Sequence, residues 1–216
     1  VPDSVSMRDA ALIELYSLGV HSARRATIEP GDRVVILGAG RLGLTVLEVI
    51  KQTAAAWVCA VDVLNNRLDI ARKMGADLTI NASVDDPVKK ILSQTGGFGV
   101  DRVIECVGTY VEISGQPGPV QQAVKIARSG GRVVVMGLGA QLTPVFWKEC
   151  VFKELQIVGS RVTLGDYPRA LRLMELKKFH PDLLISEVVT MNELDKAFHL
   201  LEEKPDQYLK ILVINQ

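Results

Sequence analysis

The chain has 216 residues, 48% of them apolar and 23% charged, and its 25 basic and 25 acidic residues cancel. That length suggests one or two domains with a sizeable core. The balanced charge gives no reason to expect nucleic acid or an anionic membrane as partner, and no apolar run approaches the ~20 residues that span a bilayer.

The opening, Val1-Pro2-Asp3-Ser4, has neither a basic region nor an apolar core, so no signal peptide is expected. A first residue other than Met suggests a fragment. Three scattered cysteines (Cys59, Cys106, Cys150) suggest no disulfide framework and point to a reducing, cytoplasmic compartment.

Residues 4–25 read as one helix with an inner face that includes Leu12, Leu15, Leu18 and Ala23. Glu14 interrupts that stretch and is expected at a solvated helix edge. His21 is expected as a surface or packing histidine. Glu29-Pro30-Gly31-Asp32 marks a turn. The run Val34-Val35-Ile36-Leu37 then meets Gly38-Ala39-Gly40-Arg41-Leu42-Gly43, and a helical pattern follows over 42–53. A buried strand feeding a helix through G-x-G-x-x-G is the phosphate-binding turn of a dinucleotide fold. Gly38 allows the tight turn, Gly40 lets backbone approach a pyrophosphate, and Gly43 lets helix and strand pack closely. The helix start offers unpaired N–H groups to the anion.

A second apolar run, 57–61, ends in Asp62, 19 residues beyond Gly43. A carboxylate at that distance, at the tip of the second strand, accepts hydrogen bonds from an adenosine ribose. It also repels a 2′-phosphate, which favours NAD over NADP. The bland alternative is that Asp62 caps the helix predicted over 65–74, a role compatible with the first. Arg67, early in that helix, is suited either to stack on adenine or reach a phosphate, or to stand as a solvated charge.

A short strand at 78–81, a helix at 87–95, a loop at 95–99 and a strand at 100–106 complete the first half. The second half offers a helix at 118–128 capped by Ser129-Gly130-Gly131, a strand at 132–136, a partly helical segment over 145–154 and a strand at 155–158. A helix at 166–178, a strand at 187–190, a helix at 192–203 and a strand at 209–214 follow. Alternation of this kind predicts an α/β fold, a doubly wound six-stranded parallel sheet of Rossmann type. Ligands in such sheets lie beyond the carboxyl ends of the strands. Small residues stand there: Cys106-Val107-Gly108, Gly137-Leu138-Gly139, and Gly159-Ser160. They suit a nicotinamide and its ribose lying against backbone, or are ordinary turn residues. Cys106 is expected as a packing residue rather than a nucleophile. The three histidines have no metal-ligand spacing, and no C-x-x-C occurs.

Several motifs in order carry a resemblance. They include Ala10-Ala11-Leu12-Ile13-Glu14, Gly19-Val20-His21-Ser22-Ala23-Arg24-Arg25, Gly31 to Gly40, Ala71-Arg72-Lys73-Met74-Gly75-Ala76-Asp77, Glu105-Cys106-Val107-Gly108 and Glu193-Leu194-Asp195-Lys196-Ala197-Phe198. Together they resemble the medium-chain, zinc-dependent alcohol and polyol dehydrogenases, and most of all those acting on sorbitol, threonine or sugar acids. The resemblance implies hydride transfer between a secondary alcohol and NAD, with zinc polarising the alcohol in the intact enzyme. It implies a catalytic domain ahead of this sequence and three parts within it. Residues 1–24 would link from that domain, 25–165 would bind NAD, and 166–216 would return to it, so the flanks are segments of a truncated catalytic domain. Glu14 matches a zinc-ligand position, although Leu15 stands where proline is usual. Lys210 matches a basic residue that reaches the pyrophosphate. The isolated chain is expected to bind NAD and turn over little. The alternatives are a zinc-free NADPH-dependent reductase and a nucleotide-binding regulatory module. A homo-oligomer, dimer or tetramer, is expected from a sixth strand at the sheet edge near apolar Phe146, Trp147, Val151 and Phe152.

Overall fold

A computed structural model describes residues 1–108, 117–140, 142–161 and 165–215. Six strands form one parallel sheet: β1 (Arg33–Leu37), β2 (Trp57–Asp62), β3 (Leu78–Asn81), β4 (Val100–Glu105), β5 (Ala127–Val135) and β6 (Gln156–Gly159). Their order is β3-β2-β1-β4-β5-β6, the doubly wound order expected, which reverses between β1 and β4.

Residues alternate between the two faces of a strand. In β1, Val34 and Ile36 enter one core while Val35 and Leu37 enter the other. Helices α2 (Ile13–Ala26), α3 (Arg41–Ile50) and α4 (Asn65–Lys73) help to cover the first face, and α5 (Pro87–Gln94) with α6 (Pro119–Ile126) the second. Burial on both faces explains why β1 and β2 read as near-continuous apolar runs. On α3, Leu44, Val46, Leu47 and Ile50 are fully buried. Each contributes about 1.5–3 kcal/mol relative to exposure.

The predicted helix over 4–25 is two helices, α1 (Met7–Ala10) and α2. Ser6 caps α1 through its hydroxyl, and the chain turns at Ala11–Leu12, where Leu12 has φ −94° and ψ 0°. Leu12 and Tyr16 are wholly buried by this break, so core burial outweighs continuation of the helix. The predicted cap at 129–131 is also displaced. α6 ends at Ile126, and β5 already begins at Ala127, with a register shift against β4. Gly130 (φ +71°) lies within that run and donates its N–H to Lys153 O at 2.6 Å.

The segment after β6 holds α7's successor in chain order, once α7 (Trp147–Phe152) has led into β6: α8 (Tyr167–Glu175), a short α9 (Pro181–Leu184) that the sequence did not announce, and α10 (Leu194–Glu203). β7 (Glu187–Thr190) and β8 (Ile211–Ile214) pair in parallel as a separate two-stranded sheet under α10. Tyr16 stacks on Phe179 at 4.0 Å, and Glu48 of α3 accepts Tyr16 Oη–H at 2.6 Å and His180 N–H at 2.8 Å. These contacts join α2, α3 and the α8–α9 connection. Among the described residues no helix is long and apolar enough to cross a membrane.

Candidate functional site: a cleft at the strand ends

Register sets the site. Leu37 pairs with Val61 on one side and Glu105 on the other, and Glu105 pairs with Val135. The chain therefore leaves β1, β2, β4 and β5 at one level, through Gly38, Asp62, Cys106 and Met136. Gly38 has φ +93°, where a side chain is strained, and a Cβ there would meet Val107 Cγ2 at 2.8 Å. Gly43 sits under the turn, and a Cβ on it would lie 1.8 Å from Gly38 O. α3 begins at Arg41 with no side-chain cap, so its first N–H groups face the cleft for an anion to use.

Asp62 is buried beside this turn. Its Oδ2 accepts Ala39 N–H at 2.7 Å, and its Oδ1 accepts Val63 N–H at 2.8 Å and Leu64 N–H at 3.0 Å. The carboxylate thus ties the end of β2 to the glycine turn and also serves the approach to α4. Arg67 Nη1 stands 3.7 Å from Asp62 Oδ2, and its Nε is buried without a partner.

Two hollows that share Gly40, Arg67, Cys106 and Val107 in their walls lie at the switch point. One, of about 220 Å³, is bounded by Gly38, Gly40, Asp62, Arg67, Val107 and Gln122, among others. The other, of about 390 Å³, is bounded by Gly40, Arg41, Leu42, Cys106, Gly137, Leu138 and, from the C-terminal segment, Leu201, Tyr208 and Leu209. Ten of the residues singled out from sequence line them: Gly38, Gly40, Arg41, Leu42, Asp62, Arg67, Cys106, Val107, Gly137 and Leu138. Gly43 packs beneath, and the Gly108 backbone presses on Gly137. Ser160 and Lys210 line neither hollow. Ser160 is buried after β6 with its N–H on Val135 O, and Lys210 offers its carbonyl to Ser186 N–H. Burial pushes the Cys106 thiol well above its usual range, with the Glu105 charge adding to the effect, which suits a packing role. A larger hollow of about 620 Å³ between α2, α3 and α8 is mainly apolar and touches none of the glycine turn.

Sequence reasoning passed over Glu105. It is fully buried at the end of β4, and its Oε1 accepts the N–H groups of Val107 and Gly108 at 2.7 and 2.8 Å. The signal was there: a carboxylate inside an apolar strand, one turn before a glycine. Asp166 was passed over as well. It receives His21 Nδ1 at 3.0 Å, Arg24 at 2.6 Å and Arg169 at 2.9 Å. Burial alone would raise its pKa, but the hydrogen bonds from His21 and Arg24 outweigh burial and hold it below the usual carboxylate range.

Glu14 is exposed in the first turn of α2. Among the described residues no group of three or more histidine, cysteine or acidic side chains stands ready for a metal. The described residues therefore do not by themselves make up a zinc centre.

Comparison with known proteins agrees with this geometry. Sorbitol dehydrogenase of Homo sapiens is 30% identical over 205 residues, covering 94% of this chain and 56% of that one. D-xylulose reductase A of Aspergillus niger is 32% identical over 219 residues, covering 99% and 58%. A candidate zinc-binding dehydrogenase of Sinorhizobium meliloti 1021, solved with NADP bound, superposes with a TM-score of 0.88 at 25% identity, covering 99% and 61%. The chain thus spans less than two thirds of the length of these relatives. The family model described as zinc-binding dehydrogenase matches residues 42–175, more than half of the chain, and so this chain belongs to the zinc-binding dehydrogenase family.

Proposed function

We propose that this chain is the cofactor-binding part of an NAD-dependent dehydrogenase acting on a secondary alcohol of polyol or sugar-acid type. The observation that carries the reading is the pairing of the uncapped α3 start with Asp62, whose Oδ2 stands 2.7 Å from Ala39 N in one cleft. The amides of the turn take the diphosphate, and Arg67 lies close enough to Gly40 to assist. Asp62 takes the adenosine ribose on the lone pairs its backbone bonds leave, and its charge disfavours a 2′-phosphate. The loops after β4 and β5 take the ring end. Nicotinamide, when bound, supplies the hydride acceptor, and these residues orient it and exclude water.

Residues 25–165 form this cofactor domain, and 1–24 and 166–216 flank it as parts of a catalytic domain. The separate β7–β8 sheet supports that division on the C-terminal side, whereas α2 packs in one core with β1 and α3. Glu14 is the residue the chain would bring to a zinc site completed elsewhere. The protein is assigned to the cytoplasm on its unpaired cysteines. It is assigned as a homo-oligomer because β6 closes one edge of the sheet, while Phe146, Trp147, Val151 and Phe152 stand exposed nearby. Light scattering checks this, a monomer ruling it out.

Calorimetric titration tests the central reading. NAD binds, NADP binds about tenfold more weakly or worse, and the chain alone oxidises no sorbitol. A folded sample that binds neither dinucleotide defeats the proposal. A preference for NADP would favour the reductase reading, which the position of Arg67 beside Asp62 keeps in view.

A further inference from the structure

The cofactor reading leaves one buried group behind the cleft without a task. Glu105 Oε1 is occupied by two backbone N–H groups, whereas Oε2 is buried and has no hydrogen-bond partner. Around it the loops after β4 and β5 are pressed together. A Cβ on Gly108 would lie 2.3 Å from Leu138 N, and a Cβ on Gly137 would lie 2.1 Å from Gly108 N and 2.7 Å from Glu105 Oε2. The carboxyl group therefore stands directly behind the meeting point of the two loops.

Oε1 meets only N–H donors, and Oε2 has no hydrogen-bond partner. A buried anion with half its acceptor capacity idle is costly, and folds keep such groups where a ligand or its chemistry offsets the cost. In a doubly wound sheet the second half takes the second mononucleotide, so β4 and β5 underlie the ring end of a dinucleotide. The oxidised nicotinamide ring is a cation, and the reduced ring is neutral.

We infer that Glu105 is a positioning residue that pins the loop after β4 to the loop after β5 and holds a buried negative charge beneath the nicotinamide half, favouring the oxidised dinucleotide over the reduced one. This rests on the cofactor reading above. Glu105 does not touch the reacting atoms. It acts through the field at the ring and through the Val107–Gly108 backbone.

The test is the ratio of the dissociation constants for NADH and NAD⁺, measured by fluorescence and calorimetry on the same chain. In Glu105→Gln, which keeps size and removes charge, this ratio falls about tenfold. In Glu105→Asp, which keeps charge and loosens the loop, both forms bind more weakly and the ratio is retained. A folded Glu105→Gln that weakens both forms by one factor has lost only a structural support, and overturns the inference. Should that variant not fold, Glu105→Asp decides, and a ratio that falls along with the two affinities overturns the inference. Binding of neither form removes the cofactor reading and this inference with it.

Discussion

The two ends of the sheet treat buried polar groups in opposite ways. At the amino end every partner is supplied from within. Arg102 donates to Thr27 O through Nε and Nη2, at 3.3 and 3.1 Å, and reaches Asp32 Oδ2 at 3.1 Å. Asp32 also accepts Glu29 N–H, while Asp101 accepts Arg33 N–H and Arg128 Nε. At the carboxyl end partners run short. The buried side-chain atoms without one, among the described residues, are Asn66 Oδ1, Arg67 Nε, Glu105 Oε2 and Ser160 Oγ. All four follow or close the carboxyl ends of β2, β4 and β6. Elements that only need to stay folded saturate their polar groups, whereas the strand ends that border the cleft leave some unpaired, and of these Arg67 lines the cleft itself.

Substitutions can break this contrast. The largest effect is expected from Gly43→Ala, since its new methyl would stand 1.8 Å from Gly38 O. The turn must open, at a cost of about 3 kcal/mol or more. Thermal melting should show the loss and titration should show no dinucleotide binding. A variant that melts and binds as the wild type does would show that the turn is not as drawn.

Arg102→Leu should come next. It leaves Asp32 and the Thr27 carbonyl short of a donor at the amino end, costing about 3–5 kcal/mol. Dinucleotide affinity of the folded fraction should stay unchanged, because nothing at the cleft moves. Reduced affinity at full folding would mean that the two ends are coupled.

A smaller, pH-dependent effect is expected at Asp166, a saturated carboxylate at the start of α8. Its folded pKa is depressed, so its contribution is complete above the unfolded value near 4 and is lost as pH falls through the folded value. Asp166→Asn should therefore show a flatter melting temperature between about pH 5 and pH 3 than the wild type. Asp101, also held low, titrates in both proteins and serves as the internal reference. Parallel acid profiles would refute the assignment.

The smallest effect belongs to Ser160→Ala. Its hydroxyl has no partner to lose, so stability should change by within about 0.5 kcal/mol. A loss of more than about 1 kcal/mol by denaturant titration would mean that the hydroxyl already has a protein partner.

Much of the fold could be read directly. The strand run at 57–62 stands where predicted, because a strand buried on both faces announces itself as an apolar block bounded by turns, and the edge strand at 78–81 also falls in its predicted place. The glycine turn and Asp62 were equally plain, since their chemistry depends on spacing along a short stretch. What escaped depends on distant partners. Nothing near Glu48 says that Tyr16 and His180 will meet it, from 32 and 132 positions away. Asp166 finds His21 across 145 positions. Leu12 breaks a helix that local propensity would continue, for the sake of a core assembled from the whole chain. Glu105 was legible only as a conflict, a charged group where its strand asked for an apolar one.

On the proposed reading Asp62 serves both coenzyme choice and the shape of the glycine bend. Three backbone N–H groups, those of Ala39, Val63 and Leu64, end on its carboxylate. Replacing it with serine to admit a phosphorylated ribose would strip acceptors from the bend proposed to take the diphosphate. A switch in coenzyme choice at this position should therefore require a companion change that re-anchors the bend, and lineages altering one alone should lose affinity for both coenzymes.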